Sequence, residues 1–247
     1  MENLIISVVM PTYNGGAYIQ KAITSVFRQD VPLELIVIDD CSEDNTLEQV
    51  KKWIGHKNFI YYRNCMNLGV AQSRNIGVQK ARGKYVAFLD SDDWWEDGKL
   101  NEQLKILEKT GKVLCSTGRE LMASNGCSLN KYISVKERIT YRELLKHNCI
   151  NCSSVVILRS VALEFPMCHE DSHEDYITWL RVLKKYRESV GINKPYLKSR
   201  QSFGGKSRNK IKSAKMTFQV YRYMGYGWIK SCVFFLSYVV HGILKYM

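Results

Sequence analysis

The sequence predicts an α/β fold built on a doubly wound, mostly parallel sheet with a C-terminal helical appendage. Three observations carry this expectation. Strand-like apolar runs alternate with helix-period segments four times within roughly the first ninety residues. The strand-like runs are continuous rather than alternating, as in strands covered on both faces. Three of them end in polar or acidic clusters, which places those clusters on one sheet edge. The chain has 247 residues, enough for one well-buried domain or one domain with an appendage, and its four prolines argue against extensive disorder.

The elements follow in order. Leu4–Met10 is an apolar run, broken only by Ser7 and stopped at Pro11, a buried strand. Ile19, Ala22, Ile23, Val26 and Phe27 repeat with helical spacing. Leu33–Ile38 is a second strand ending at Asp39-Asp40, and Ser42 to Asn45 supply starting residues for a helix reaching about Ile54. Phe59–Tyr62 is a short strand, Val70–Ala81 a helix, and Tyr85–Leu89 a buried strand running into Asp90-Ser-Asp-Asp93. Lys99–Thr110 reads as a helix and Val113–Thr117 as a strand. Thr140-x-x-Glu143 has the form of a capping box. Val155–Leu158 is a further strand and Tyr176–Tyr186 a helix, whereas 194–215 is basic, polar and loop-like. The expected division is a catalytic domain over 1–193, with a first half to about 98 and a second from about 99, followed by a basic, apolar-aromatic segment over 194–247.

Paired aspartates at the ends of buried strands are costly, because adjacent anions repel unless a cation compensates. A hard divalent ion, Mg²⁺ or Mn²⁺, does so using one or two carboxylates together with phosphate oxygens. The aspartates from Asp90 to Asp93 are therefore the candidates for holding such an ion; Asp44 reads better as a helix-capping residue.

Four segments then define a resemblance. Val8-Val-Met-Pro-Thr-Tyr-Asn14, Ile36-Val-Ile-Asp-Asp40, Asn67-Leu-Gly-Val-Ala-Gln-Ser-Arg-Asn-Ile-Gly77 and Ala81-Arg-Gly-Lys-Tyr-Val-Ala-Phe-Leu-Asp-Ser-Asp-Asp93 resemble glycosyltransferase family 2, in that family's order and over about the first hundred residues. The resemblance implies a Rossmann-like GT-A fold and an inverting, metal-dependent transfer from a nucleotide diphosphate sugar, with UDP preferred. It implies that Pro11, Thr12 and Tyr13 line the base and ribose pocket and that Asp39 accepts from the uracil edge. Arg74 would approach the diphosphate, Asp90 would hold ribose or sugar, and Asp92 would coordinate the metal.

An inverting transfer also needs a base for the acceptor hydroxyl. Glu174-Asp175, followed by x-x-x-Trp-Leu-Arg, looks like the family's Glu-Asp motif, which makes Asp175 the expected base and Glu174 the residue expected to orient the acceptor. Glu170-Asp171 is a decoy or a supporting pair. His169-Glu-x-x-His173 also matches a zinc-protease pattern, but that pattern needs a helix interior, and Pro166, Asp171 and Ser172 favour a loop. Cys149-x-x-Cys152 lacks a second pair at zinc-site spacing.

Charge is unevenly distributed. The formal net charge is +12, and from Lys194 onward there are eleven Lys and Arg and no Asp or Glu, so the body is nearly neutral. In this tail, Gly204-Gly-Lys-Ser207 lacks the first glycine of a phosphate loop, because Arg200 stands there. Arg200 and Lys206 are expected instead as diphosphate contacts, by resemblance. The apolar-aromatic stretch from Trp228 to Leu244 is interrupted by Lys230 and His241 and suits a helix lying on an anionic membrane surface better than one crossing it. Packing on the catalytic domain is the competing expectation for this stretch. Few aromatics interleave the basic residues, which disfavours nucleic acid. No basic-then-apolar leader precedes the first strand, so the eight cysteines are expected as reduced thiols in a cytoplasmic protein at the inner membrane face. The combined expectation is a glycosyltransferase of bacterial surface-polysaccharide synthesis acting on a lipid-diphosphate-linked saccharide. The alternatives are a catalytically silent membrane or nucleic-acid binding module of the same fold, and a nucleotidyltransferase.

Overall fold

The computed structural model describes residues 4–201 and 210–246. The first half is built as expected. Strands β1 (Ile6–Thr12), β2 (Leu33–Asp39), β3 (Phe59–Arg63) and β4 (Tyr85–Phe88) lie parallel in the order β3-β2-β1-β4, with helices α1 (Ile19–Phe27), α2 (Thr46–Lys51) and α3 (Val70–Lys80) as crossovers. The apolar runs are continuous because both faces are covered. Val8 and Met10 pack on the side of α1 and α4 (Lys99–Thr110), whereas Val9 packs on the side of α3. Gly77 is required where α3 crosses β1, since a Cβ there would collide with the Val9 side chain.

Beyond β4 the sheet becomes mixed. Short β5 (Trp94–Trp95) forms one edge, and β6 (Leu114–Met122) extends past the expected end at Thr117. It pairs antiparallel with β7 (Ser128–Ile133), and β8 (Arg138–Thr140) leads into α5 (Tyr141–Lys146) through the expected capping box. A 3₁₀ turn over Cys152–Ser154 precedes β9 (Val156–Leu158), which runs antiparallel between β4 and β6. Two further helices, α6 (Arg159–Glu164) and α7 (Glu174–Tyr186), cover the α3 side.

The expectation of a loop from 194 does not hold for its first part. The long strand β10 (Glu188–Arg200) runs through it, parallel to β6, and position 193 falls within that strand. Two of its lysines are neutralised in the sheet: Lys198 pairs with Glu120 at 2.5 Å and Lys194 with Glu102 at 2.9 Å. A polar composition therefore conceals a strand whose buried apolar side chains are Ile192 and Leu197.

The tail ends in α8 (Lys210–Tyr223) and α9 (Trp228–Tyr246). Met216, Val220 and Tyr221 of α8 are buried, and Phe234 and Tyr238 of α9 pack against the same core. The Tyr226 hydroxyl between these helices lies 2.9 Å from that of Tyr141. The other face of α9 is uncovered: Ile229, Val233, Leu236 and Val240 stand between 55% and 83% exposed. No described helix is long and apolar enough to cross a membrane.

Candidate active site

The carboxyl ends of β1, β4 and β6 open into a cleft of about 920 Å³, closed on its far side by the first turn of α7 and by α9. Parallel pairing of Thr12 with Asp39 sets the ends of β1 and β2 level. Chain reversal after β1 brings Gly15 against Ser91, leaving no room for a side chain at that position. Pro11, Thr12, Tyr13, Asp90 and Asp92 all line this cleft, as do Arg74, Glu174, Asp175 and Arg200. The fold thus brings together residues drawn from opposite ends of the chain.

Arg74 occupies an unexpected position. It projects from α3 and is almost wholly buried, with Nη2 donating to Asp90 Oδ1 at 2.6 Å and Nη1 to Glu174 Oε1 at 2.9 Å. Burial works against its charge, but Asp90, Cys152 and Glu174 together overcome that and hold its pKa well above the ordinary value. The guanidinium expected at the donor diphosphate therefore links the carboxylate after β4 to the first residue of α7.

The other carboxylates have distinct surroundings. Asp93 is buried and accepts the Arg200 backbone N–H at 2.8 Å. Burial, reinforced by Asp92 and Asp90, pushes its pKa well up. Asp175, half-buried, has Oδ1 at 2.7 Å from its neighbour's N–H at Tyr176. Burial and the charge of Glu174 raise its pKa, while Arg74 and His173 oppose the rise. A carboxylate of raised pKa is the stronger proton acceptor once ionised, which suits a general base.

Several expected residues take other places. Asp39 is fully buried and is absent from the cleft wall: Oδ1 accepts from the Ser42 amide at 2.8 Å and Oδ2 from the Tyr61 hydroxyl at 2.6 Å. Its neighbour Asp40 reaches the cleft and holds the Leu68 and Gly69 amides at 2.8 Å. Arg200 directs Nε to the Asp92 carbonyl at 3.0 Å and Nη1 to the Ser124 carbonyl at 2.5 Å, and its guanidinium lies 4.3 Å from the Tyr18 ring centroid. Lys206 lies outside the described residues.

Glu170 caps α3, accepting from the Val70 and Ala71 amides at 3.1 and 2.8 Å. Gly69, at φ 87°, must be glycine there because a Cβ would lie 2.7 Å from the Glu170 carboxyl carbon. His169 is stacked on Tyr223 at 3.7 Å in the loop before α7, so His169 and His173 do not share a helix face as a zinc-protease pair would. Among the described residues no group of three or more His, Cys, Asp or Glu is arranged to hold a metal. Asp90 and Asp92 nevertheless fit a divalent ion that keeps phosphate and water ligands. Both line the cleft, their charges add to burial in raising the pKa of Asp93, and only one Asp90 oxygen accepts from Arg74.

Sequence reasoning also missed part of the cleft wall. Arg119 on β6 and the turn containing His147 and Asn148 line its second half. Nothing in their local pattern marks them; β6 pairing brings Arg119 to the cleft, and the end of α5 brings His147 and Asn148.

The family model described as glycosyl transferase family 2 matches residues 7–165, which run from β1 through β9. The chain belongs to glycosyltransferase family 2. Among relatives, a Bacillus subtilis (strain 168) glycosyltransferase named for teichuronic acid biosynthesis is 38% identical over 222 residues, 88% of this chain and 87% of its own. An Escherichia coli enzyme named UDP-Glc:alpha-D-GlcNAc-diphosphoundecaprenol beta-1,3-glucosyltransferase is 33% identical over 251 residues, 100% of this chain and 96% of that one. The crystal structure of Staphylococcus aureus TarS residues 1–349 with UDP-GlcNAc superposes with a TM-score of 0.71 at 21% identity, covering 89% of this chain and 66% of that one. A Pyrobaculum calidifontis mannosyltransferase in complex with GDP-Man and Mn²⁺ gives 0.65 at 19% identity, covering 90% and 64%. These two likenesses establish the GT-A fold of this family-2 chain.

Proposed function

We propose that this glycosyltransferase moves a sugar from a UDP-sugar, with inversion, onto a hydroxyl of a saccharide carried on a lipid diphosphate, in bacterial surface-polysaccharide synthesis. The observation that carries the reading is the single cleft holding Asp90, Asp92 and Asp175, with Arg74 joining its donor and acceptor sides. The Escherichia coli relative's full-length match supports the donor and acceptor classes.

The nucleoside lies against Pro11, Thr12 and Tyr13, with Asp39 buried behind them and level with Thr12 across the β1–β2 pairing. Asp92, with the second oxygen of Asp90, would hold Mg²⁺ or Mn²⁺, whose charge when bound stabilises the departing diphosphate. Asp175 takes the proton of the acceptor hydroxyl. The hydroxyl oxygen bonds to the anomeric carbon as the carbon–oxygen bond to phosphate breaks, and its electron pair leaves with UDP. Asp175 then returns its proton to solvent. Arg74 keeps Glu174, and with it the start of α7, in register with Asp90.

The acceptor class requires a membrane surface, and α9 suits one at the cytoplasmic face. Its uncovered apolar stripe would enter the interface, and Lys230 and Arg222 nearby would each add about 1 kcal/mol of attraction to anionic lipid. The test is a panel of nucleotide sugars with Mn²⁺ and an alkyl-diphosphate-linked N-acetylglucosamine. UDP release dependent on both substrates is expected and should vanish in Asp92→Ala together with metal-dependent UDP binding. Pyrophosphate release would make the chain a nucleotidyltransferase, and no release with any donor would make it a silent binding module.

A further inference from the structure

Three arginines line the cleft, and two of them are already engaged: Arg74 by Asp90 and Glu174, and Arg200 by the Asp92 and Ser124 carbonyls. Arg119 differs: it is half-buried on β6, and no described residue forms a hydrogen bond or ion pair with its guanidinium, whose Nε, like that of Arg74, is shielded from water without an acceptor. A guanidinium N–H withdrawn from water and left without an acceptor is costly, and the geometry that relieves it is a planar pair of anionic oxygens.

Its position indicates which anion. Strand β9 lies antiparallel to both β4 and β6, so β4 and β6 run in the same direction and end on the same edge. Arg119 lies on the part of β6 beyond its last pairing with β9, at Cys115. It is thus two strand spacings, about 10 Å, along the edge from the Asp90 end of β4. That separation leaves room for a sugar between the reaction centre and the guanidinium. The six carboxylates of the cleft, Asp40, Asp90, Asp92, Asp93, Glu174 and Asp175, belong to the ends of β2 and β4 and to α7, and none pairs with Arg119.

A second cavity of about 760 Å³ adjoins the cleft, with Ile133, Ser134, His147 and Cys149 common to both. Lys146 and His241 line this extension, with the His241 ring stacked 5.2 Å from that of His147. Of its carboxylates, Glu143 is engaged by Lys136 and by the Thr140 cap, leaving Glu137 at the exposed rim. His241 comes from α9, the helix whose opposite face presents the uncovered apolar stripe. The path from Asp175 past Arg119 therefore ends beside the element best suited to meet lipid.

We propose that Arg119 is the anion-binding residue for the diphosphate of the lipid-linked acceptor, with the extension at His147 and His241 carrying the lipid chain out along α9. This rests on the acceptor class inferred above. Donor and acceptor both contain a diphosphate, and the experiment separates them. Steady-state kinetics are measured for the wild type, Arg119→Ala and Arg119→Lys with UDP-glucose and two acceptors: N-acetylglucosamine on an alkyl diphosphate, and the same sugar on an alkyl alcohol. The wild type should prefer the diphosphate acceptor. Arg119→Ala should raise KM for it by about 10- to 100-fold, the range for losing charge-assisted hydrogen bonds, with KM for the alcohol-linked acceptor and for the donor within about twofold. Arg119→Lys should recover part of the loss, because charge remains but the two-pronged geometry does not. A rise in donor KM instead would place the guanidinium on the UDP-sugar and overturn the proposal. Equal loss with both acceptors would make the role structural and also overturn it. A wild type indifferent to the diphosphate would refute the acceptor class itself, whereas a wild type that discriminates beside an unaltered Arg119→Ala would refute only this inference.

Discussion

Replacing Arg74 with methionine preserves much of the side chain's volume and removes the charge held between two carboxylates. The guanidinium side chain is 5% exposed, Glu174 is 8% and Asp90 36%. Removing one partner of a buried ion pair costs about 3–5 kcal/mol, because the other is left without compensation. Asp90 is open enough for water to relieve its share, so the lower end of the range, about 3 kcal/mol, is expected. For a chain of this size each kcal/mol moves the midpoint by roughly 2–4 °C, so Arg74→Met should melt about 6–12 °C below the wild type. Arg74→Lys should restore little, since an ammonium cannot reach both Asp90 and Glu174 as a fork does. Activity adds a second readout. Arg74 is one of the charges opposing the raised pKa of Asp175. Without it the ionised base is less favoured, and the acid limb of the kcat/KM profile should move to higher pH. A fall in melting temperature below about 2 °C, with an unmoved acid limb, would refute the bridging role.

Three further outcomes are expected. Asp175→Asn should leave UDP binding near that of the wild type by calorimetry and lower kcat by about 10²- to 10⁴-fold, the contribution of a general base; turnover within tenfold of wild type would remove Asp175 from that role. Val233→Glu combined with Leu236→Glu, both on the uncovered face of α9, should abolish sedimentation with anionic vesicles while turnover of an alkyl-diphosphate acceptor in solution persists; unchanged sedimentation would count against the membrane-facing stripe. Lys99 is fully buried beside Trp95 and Gln103, and burial lowers its pKa to about 7. The unfolded chain therefore binds more protons between about pH 7 and 10.5, and this group makes the protein gain stability as pH rises through that window. The melting-temperature difference between Lys99→Met and the wild type should accordingly shift against the variant from pH 6 to pH 9; no shift between them would show that Lys99 is not held charged at a cost.

The sequence alone determined whatever is written in local pattern. Apolar runs at β1, β2 and β4, broken only by Ser7 and Glu34, required a sheet covered on both faces, and the residues that stop those runs had to emerge at one edge, which placed Pro11–Tyr13, Asp90 and Asp92 in a shared cleft. The Thr140 capping box is equally local, a matter of three residues. Only tertiary structure decided the use of each polar group there. Arg74 and Glu174 meet across 100 residues, Glu170 reaches the α3 amides across 99 and 100, and β10 is a strand because it pairs with β6, β8 and β5, its lysines meeting Glu102 and Glu120. Asp39 and Asp40 differ by one position, yet one faces Tyr61 and Ser42 while the other faces the cleft, because side-chain direction depends on backbone geometry after the strand ends. On α9, composition shows an apolar helix, but contact with α8 and α5 chooses the face that remains uncovered. The physical reason is the same throughout: apolar periodicity is a property of neighbouring residues, whereas the partner of a charge is fixed by whatever the completed fold brings within a few ångströms.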